Sequence, residues 1–317
     1  MSDLIPAATF GVAPFVIAAA VLGIAFFVIN RTTRAGFVAR GTFREVVRQP
    51  VFLLVVAGAA TLTVLNLFVP FFAFKDETKM FIDVTLATIL VAGLLLGVWS
   101  AATSISEEVE GRTAMTLLAK PLMRWQFVLG KYLGIAQATL AAVVVLSAFG
   151  VAATYYKYGY DQKETGGGKL AMFEWTTVGE TQVPWLQPER YATAMTLIPG
   201  LSLVYLQVAV MAAVAVALST RLPMLVNLVV CFAIYVVGHL VPQLTASGGE
   251  DLVFVQFMAK VFASVLPALE SYDASAAVAT GQAIPVEYVA VTGAYSLCYI
   301  AVAMLLGCFL FEDHDLA

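Results

Sequence analysis

"ISEEVEGRTAMTLLAKPLMRWQFVLGK", Ile105 to Lys131, is the stretch on which the reading of this chain turns. It carries three glutamates, two arginines and two lysines in a chain that is 61% hydrophobic and 12% charged. Ser104 and Ser106 offer N-caps, Glu107, Glu108 and Glu110 suit the positive end of a helix dipole, Lys120 suits the negative end, and Pro121 stops the helix. Its apolar side is Met115, Leu118 and Leu122, with Leu117 beside them. At 1.5 Å per residue, Ser106 to Ala119 makes a rod of roughly 20 Å, too short and too charged to cross a hydrocarbon core of about 30 Å. The stretch therefore lies outside the bilayer.

The composition around it points to an all-α integral membrane protein. An ordinary soluble domain is about 45–50% apolar and about 25% charged, far from the values here. The net charge of −4 comes with no Lys/Arg-rich block, which excludes a nucleic-acid partner. Cys231, Cys298 and Cys308 all fall in apolar runs, without metal-ligand spacing, and read as small buried hydrophobes.

Runs of about 20 apolar residues predict seven spans. They are Ala7 to Ile29, Val51 to Phe74, Asp83 to Ser104, Phe127 to Tyr155, Ala192 to Ser219, Leu222 to Leu244 and Glu287 to Phe311. Arg31, Arg34, Arg40, Arg44 and Arg48 follow the first span, and Arg112, Lys120 and Arg124 with Lys131 flank the opening stretch, so both segments are expected on the cytoplasmic side. Arg221 joins them there, and the N-terminus falls outside and the C-terminus inside. The first span has Asp3 and no Lys or Arg before it, so it reads as an anchor rather than a secretory signal.

Two further helices are expected at the interfaces. Arg40, Arg44 and Arg48 recur every four residues opposite Phe43, Val46 and Val47, which predicts an amphipathic helix over residues 36–50. Its apolar face is expected in the acyl boundary, its arginines among headgroups, and Pro50 ends it. On the outer side, residues 156–191 read as a loop and 246–286 as a helical segment whose core, Glu250 to Asp273, forms a surface or re-entrant helix.

Taken residue by residue, Glu108, Glu110, Thr113, Leu117, Leu118, Pro121, Arg124, Gly130 and Lys131 resemble the cytoplasmic segment of ABC type 2 membrane-domain permeases. Phe43 to Phe52 and Leu266 to Asp273 are similar to that family's connecting helix and outer Leu-Pro element, so the resemblance runs from about Gly36 to Phe311. It implies a six-span core over residues 36–317, with residues 1–35 as an extra N-terminal anchor span. It also implies that residues 105–121 are a coupling helix that docks on a separate ATP-binding cassette ATPase subunit. Met115, Leu117 and Leu118 are the apolar ridge for such a groove, and Glu107, Glu108, Glu110 and Arg112 the orienting charges, with Gly111 a weak point inside the helix. Arg40, Arg44, Arg48, Arg124 and Lys131 are the expected interface anchors. Arg112 stands where the family pattern has Gly, and Gly111 comes one residue early.

No Walker A loop is present. In "ETGGGKL", Glu164 to Leu170, Lys163 stands where the first Gly belongs and Leu170 follows the lysine. ATP and Mg²⁺ are therefore expected on the partner subunit, this chain binding no cofactor or metal. The expected unit pairs this chain with a second copy or a related permease in the cell's inner (plasma) membrane, with export as the expected direction. An ion-coupled carrier is the alternative, although ionisable groups are scarce at mid-span: His239 lies toward an outer end. A non-transporting membrane anchor for a partner protein has the same sequence signature.

Overall fold

The computed structural model describes residues 4–68, 77–110, 123–164, 171–178, 181–246, 257, 265–280, 282 and 284–312. In chain order the helices are α1 (Leu4–Thr32), α2 (Arg34–Arg48), α3 (Pro50–Phe68), α4 (Glu77–Glu110) and α5 (Arg124–Glu164). A hairpin of β1 (Phe173–Val178) and β2 (Thr181–Leu186) comes next. It is followed by α6 (Pro188–Met195), α7 (Leu197–Ser219), α8 (Met224–Ala246), a 3₁₀ turn (Leu269–Tyr272), α9 (Ser275–Thr280) and α10 (Val286–Glu312).

Among the described residues, six stretches are long and apolar enough to cross a membrane: Val12–Thr32, Pro50–Phe68, Glu77–Ile105, Arg124–Asp161, Pro188–Ser219 and Val286–Phe311. The remaining expected span, Leu222 to Leu244, coincides with the 23 residues of α8, whose apolar part Met224–Leu240 is shorter. The chain is thus a multi-pass helical membrane protein with one small hairpin added.

α7 is the centre of the bundle. Its sequence is apolar all round, which marks a helix enclosed on every side. All residues from Leu203 to Ala217 except Leu206 are buried. Ala212, Ala213, Ala215 and Ala217 keep its surface low, so that α4, α5, α8 and α10 pack directly on it.

The two ends of the bundle are distinct. At the α2 end, the Arg221 Nε–H donates to the Leu310 carbonyl at 2.7 Å, and the Phe127 and Phe311 rings stack at 5.7 Å. At the hairpin end, Tyr272 and Ser296 share a hydrogen bond of 2.8 Å, and the Tyr288 hydroxyl donates to the Ser271 carbonyl at 2.8 Å. Burial pushes the Tyr272 phenol up to about 12.

α2 corrects one expectation. Thr33 caps it, its hydroxyl accepting from the Gly36 N–H at 2.9 Å, and Arg44 and Arg48 are exposed as expected. The opposite face, however, is a stripe of Ala35, Gly36, Ala39, Thr42 and Val46, all buried. Val46 sits in the core rather than the acyl boundary, because α2 lies on α5. A Cβ at Gly134 would lie 2.6 Å from Thr42 Cβ and 2.7 Å from the Ala39 carbonyl, and one at Gly130 would lie 2.7 Å from the Ala35 carbonyl. Small residues on both helices set this close approach.

The hairpin is the second difference. Residues 156–191 hold the last turns of α5, the antiparallel pair with Phe173 opposite Leu186, and the start of α6. Aromatic and β-branched residues on both sides of Gly179-Glu180 were the available sequence signal.

Candidate functional site

The proposed docking stretch, residues 105–121, begins inside α4 and ends shortly before α5 in the sequence. α4 does not stop at the expected N-caps: it runs through Ser104 and Ser106 to Glu110, so both serines are interior residues. Glu107, Glu108 and Glu110 therefore belong to the last turns of the helix that begins at Glu77. Gly111, Arg112, Thr113, Met115, Leu117, Leu118 and Pro121 lie outside the described residues, as does most of the outer segment Glu250 to Ser264.

α5 resumes at Arg124 with a defined start. The Met123 N–H donates to Gln126 Oε1 at 3.3 Å, half of a capping box, and the Gln126 N–H returns to the Met123 carbonyl at 2.9 Å. Arg124 is exposed there. Met123 and Trp125 are exposed as well, joined by a Trp125 Nε1–H to Sδ contact of 3.3 Å. They form an exposed apolar pair at the start of α5, and their position just after Pro121 was the sequence cue to them.

Lys131 departs from its expected role. It does not reach out to headgroups: the residue is 3% exposed, and its ammonium donates to Ser104 Oγ at 2.9 Å. Glu45 Oε2 of α2 lies 3.6 Å away, and the Phe127 ring centroid 5.7 Å away. One lysine thus gathers α2, α4 and α5, because a buried ammonium must find polar partners. Arg40 is half-buried against the Phe37 ring at 5.9 Å, whereas Arg44 and Arg48 face outward.

The opposite ends of α4 and α5 are joined by a second polar group. Lys157 Nζ lies 3.1 Å from Asp161 Oδ1 and 3.3 Å from Glu77 Oε2, and the Thr78 hydroxyl donates to Asp161 Oδ2 at 2.5 Å. The lysine is 2% exposed. Nearby, the Tyr155 hydroxyl donates to the Met172 carbonyl and accepts from the Gln187 N–H, holding both feet of the hairpin.

A family model described as ABC-2 family transporter protein matches residues 18–316. The chain belongs to the ABC-2 transporter family. As an ABC-2 family protein it is a transport membrane subunit, a permease. The match covers α2, the charged stretch and the bundle, and it begins inside α1 rather than at Gly36. The second half of α1 is therefore part of the family's pattern. No curated protein matches the chain. His239 shares a hydrogen bond of 3.0 Å between Nδ1 and the Tyr235 carbonyl, which accounts for it structurally in this ABC-2 permease.

Proposed function

We propose that this permease is an exporter driven by a separate ATP-binding cassette ATPase that docks on residues 105–121. ATP and Mg²⁺ are held by that subunit, and two copies of this chain, or this chain and a relative, work by alternating access. The α2 end is cytoplasmic, in keeping with Arg31, Arg34, Arg44, Arg48, Arg124 and Arg221 gathered there, and the N-terminus is outside. The membrane is the cell's inner membrane.

The observation that carries this reading is the seating of the docking stretch. α4 and α5 deliver its two ends from helices tied together by Lys131 and Ser104, so a force on the stretch is borne by the bundle. Met115, Leu117 and Leu118 supply the anchor for a groove, while Glu107, Glu108, Glu110 and Arg112 orient it.

Co-purification with a Walker-containing ATPase tests the reading. Association is expected with the native chain and lost in Leu117→Asp/Leu118→Asp. Transport driven by a pH or sodium gradient in vesicles without ATP would overturn it.

A further inference from the structure

α1 is fastened to the bundle near its two ends and stands away between them. Toward the hairpin end, Val12 and Phe15 are buried where α1 meets α6 and α7. Toward the α2 end, Asn30 Nδ2–H donates to Gln137 Oε1 at 2.8 Å, and Gln137 Nε2–H returns to Asn30 Oδ1 at 3.2 Å. Between these fastenings lies a cleft of about 560 Å³, walled by α1, α5, α7 and α10.

Its depth and chemistry restrict what can fill it. On α5 the wall runs from Leu140 to Val151, and on α7 and α10 it uses the first turns, Ile198 to Leu206 and Val286 to Gly293. The cleft thus occupies the half of the spans nearer the hairpin. Its lining is aliphatic apart from Phe15 and the hydroxyls of Ser147, Ser202 and Tyr205. Two of those are already used: Ser202 donates to the Ile198 carbonyl at 3.0 Å and Tyr205 to the Ala136 carbonyl at 3.3 Å. A water needs two to four polar partners, so the space is unsuited to water. Val16, Val144 and Val286 line the cleft and are also 57%, 53% and 42% exposed, so it is continuous with the bundle's outer apolar surface. At span depth that surface faces hydrocarbon.

We propose that this cleft binds an acyl chain of a membrane phospholipid from the hairpin-side leaflet, with α1 as the wall that retains it. The chain enters sideways between α1 and the bundle, and its headgroup stays at the interface. Lipid binding itself is independent of the proposed ATPase; only if the bound lipid is cargo does it rest on the exporter reading.

The test uses the full chain in phosphatidylethanolamine and phosphatidylglycerol vesicles containing a phospholipid with a diazirine near the end of its acyl chain. After illumination, labelled peptides are mapped by mass spectrometry. Label is expected on Leu140 to Val151 and Ile198 to Leu206, and is expected to be lost in Ala148→Phe/Gly293→Leu. A Cβ at Gly293 meets only Leu206 Cδ1, at 3.8 Å, so the added side chain has room to enter the cleft. Gly293→Ala should retain the label. Helix content by circular dichroism and labelling of the exposed α3 residues Leu53, Leu54 and Leu62 should be unchanged in both variants. Equal cleft labelling in the filled variant overturns the proposal, as does cross-linking of the cleft to a second copy of the chain in place of lipid. Because no ATPase takes part, this outcome is separable from a failure of ATPase docking.

Discussion

The Lys131 ammonium of α5 and the Ser104 hydroxyl of α4 meet at 2.9 Å in a buried position, with Glu45 of α2 at 3.6 Å. Replacing Lys131 by Met keeps most of the aliphatic packing and removes the contact that three helices share. The expected loss is about 1–2 kcal/mol, read as a lower unfolding temperature in detergent. Ser104→Ala should cost less, since Glu45 remains for the lysine.

Gly134 and Gly41 give opposite expectations for the same substitution. At Gly134 an added Cβ meets Thr42 and the Ala39 carbonyl below 3 Å, so Gly134→Ala should force α2 from α5 and destabilise by about 1–3 kcal/mol. At Gly41, exposed in α2, a Cβ meets nothing within 4 Å, so Gly41→Ala should stabilise by about 1 kcal/mol. Thermal unfolding of the two variants side by side checks the sign.

The Lys157 group should respond asymmetrically. Lys157→Met leaves Asp161 and Glu77 without their shared cation and should cost about 3 kcal/mol. Adding Asp161→Asn removes one of the stranded charges and should recover part of that loss. A double-mutant cycle by chemical denaturation measures the recovery, and a purely additive result would contradict the role given to the lysine.

Tyr155 should control the hairpin without controlling the bundle. Its hydroxyl serves Met172 and Gln187, so Tyr155→Phe releases both feet at a local cost of about 1 kcal/mol. Limited proteolysis should cut residues 171–187 faster, while the main unfolding transition stays near its native temperature.

Helix positions were legible wherever long apolar runs met charge. The end of α2 and the start of α3 fall at Pro50 as its ring chemistry requires, and Arg44 and Arg48 face outward as their spacing implies. What escaped was governed by tertiary contact. Ser104 looks like a cap locally, but its hydroxyl is claimed by Lys131, twenty-seven residues on, inside a continuous helix. Lys131 resembles a snorkelling residue until α2 covers it. The stripe Ala35, Gly36, Ala39 and Thr42 carries little hydrophobic signal, because its contribution is low relief against Gly130 and Gly134 rather than greasiness.

The two polar ties on α5 lie at very unequal distances from its stretch-side end. From Arg124 to Lys131 is roughly 10 Å of helix, and from Lys131 to Lys157 roughly 39 Å. A rigid α5 turning about Lys131 would have arms in a ratio of about four to one. A push of 1 Å at the short arm would then swing the long arm by about 4 Å, more than the 3.3 Å separation that holds Lys157 to Glu77 of α4, while Asp161, on α5 itself, moves with the lysine.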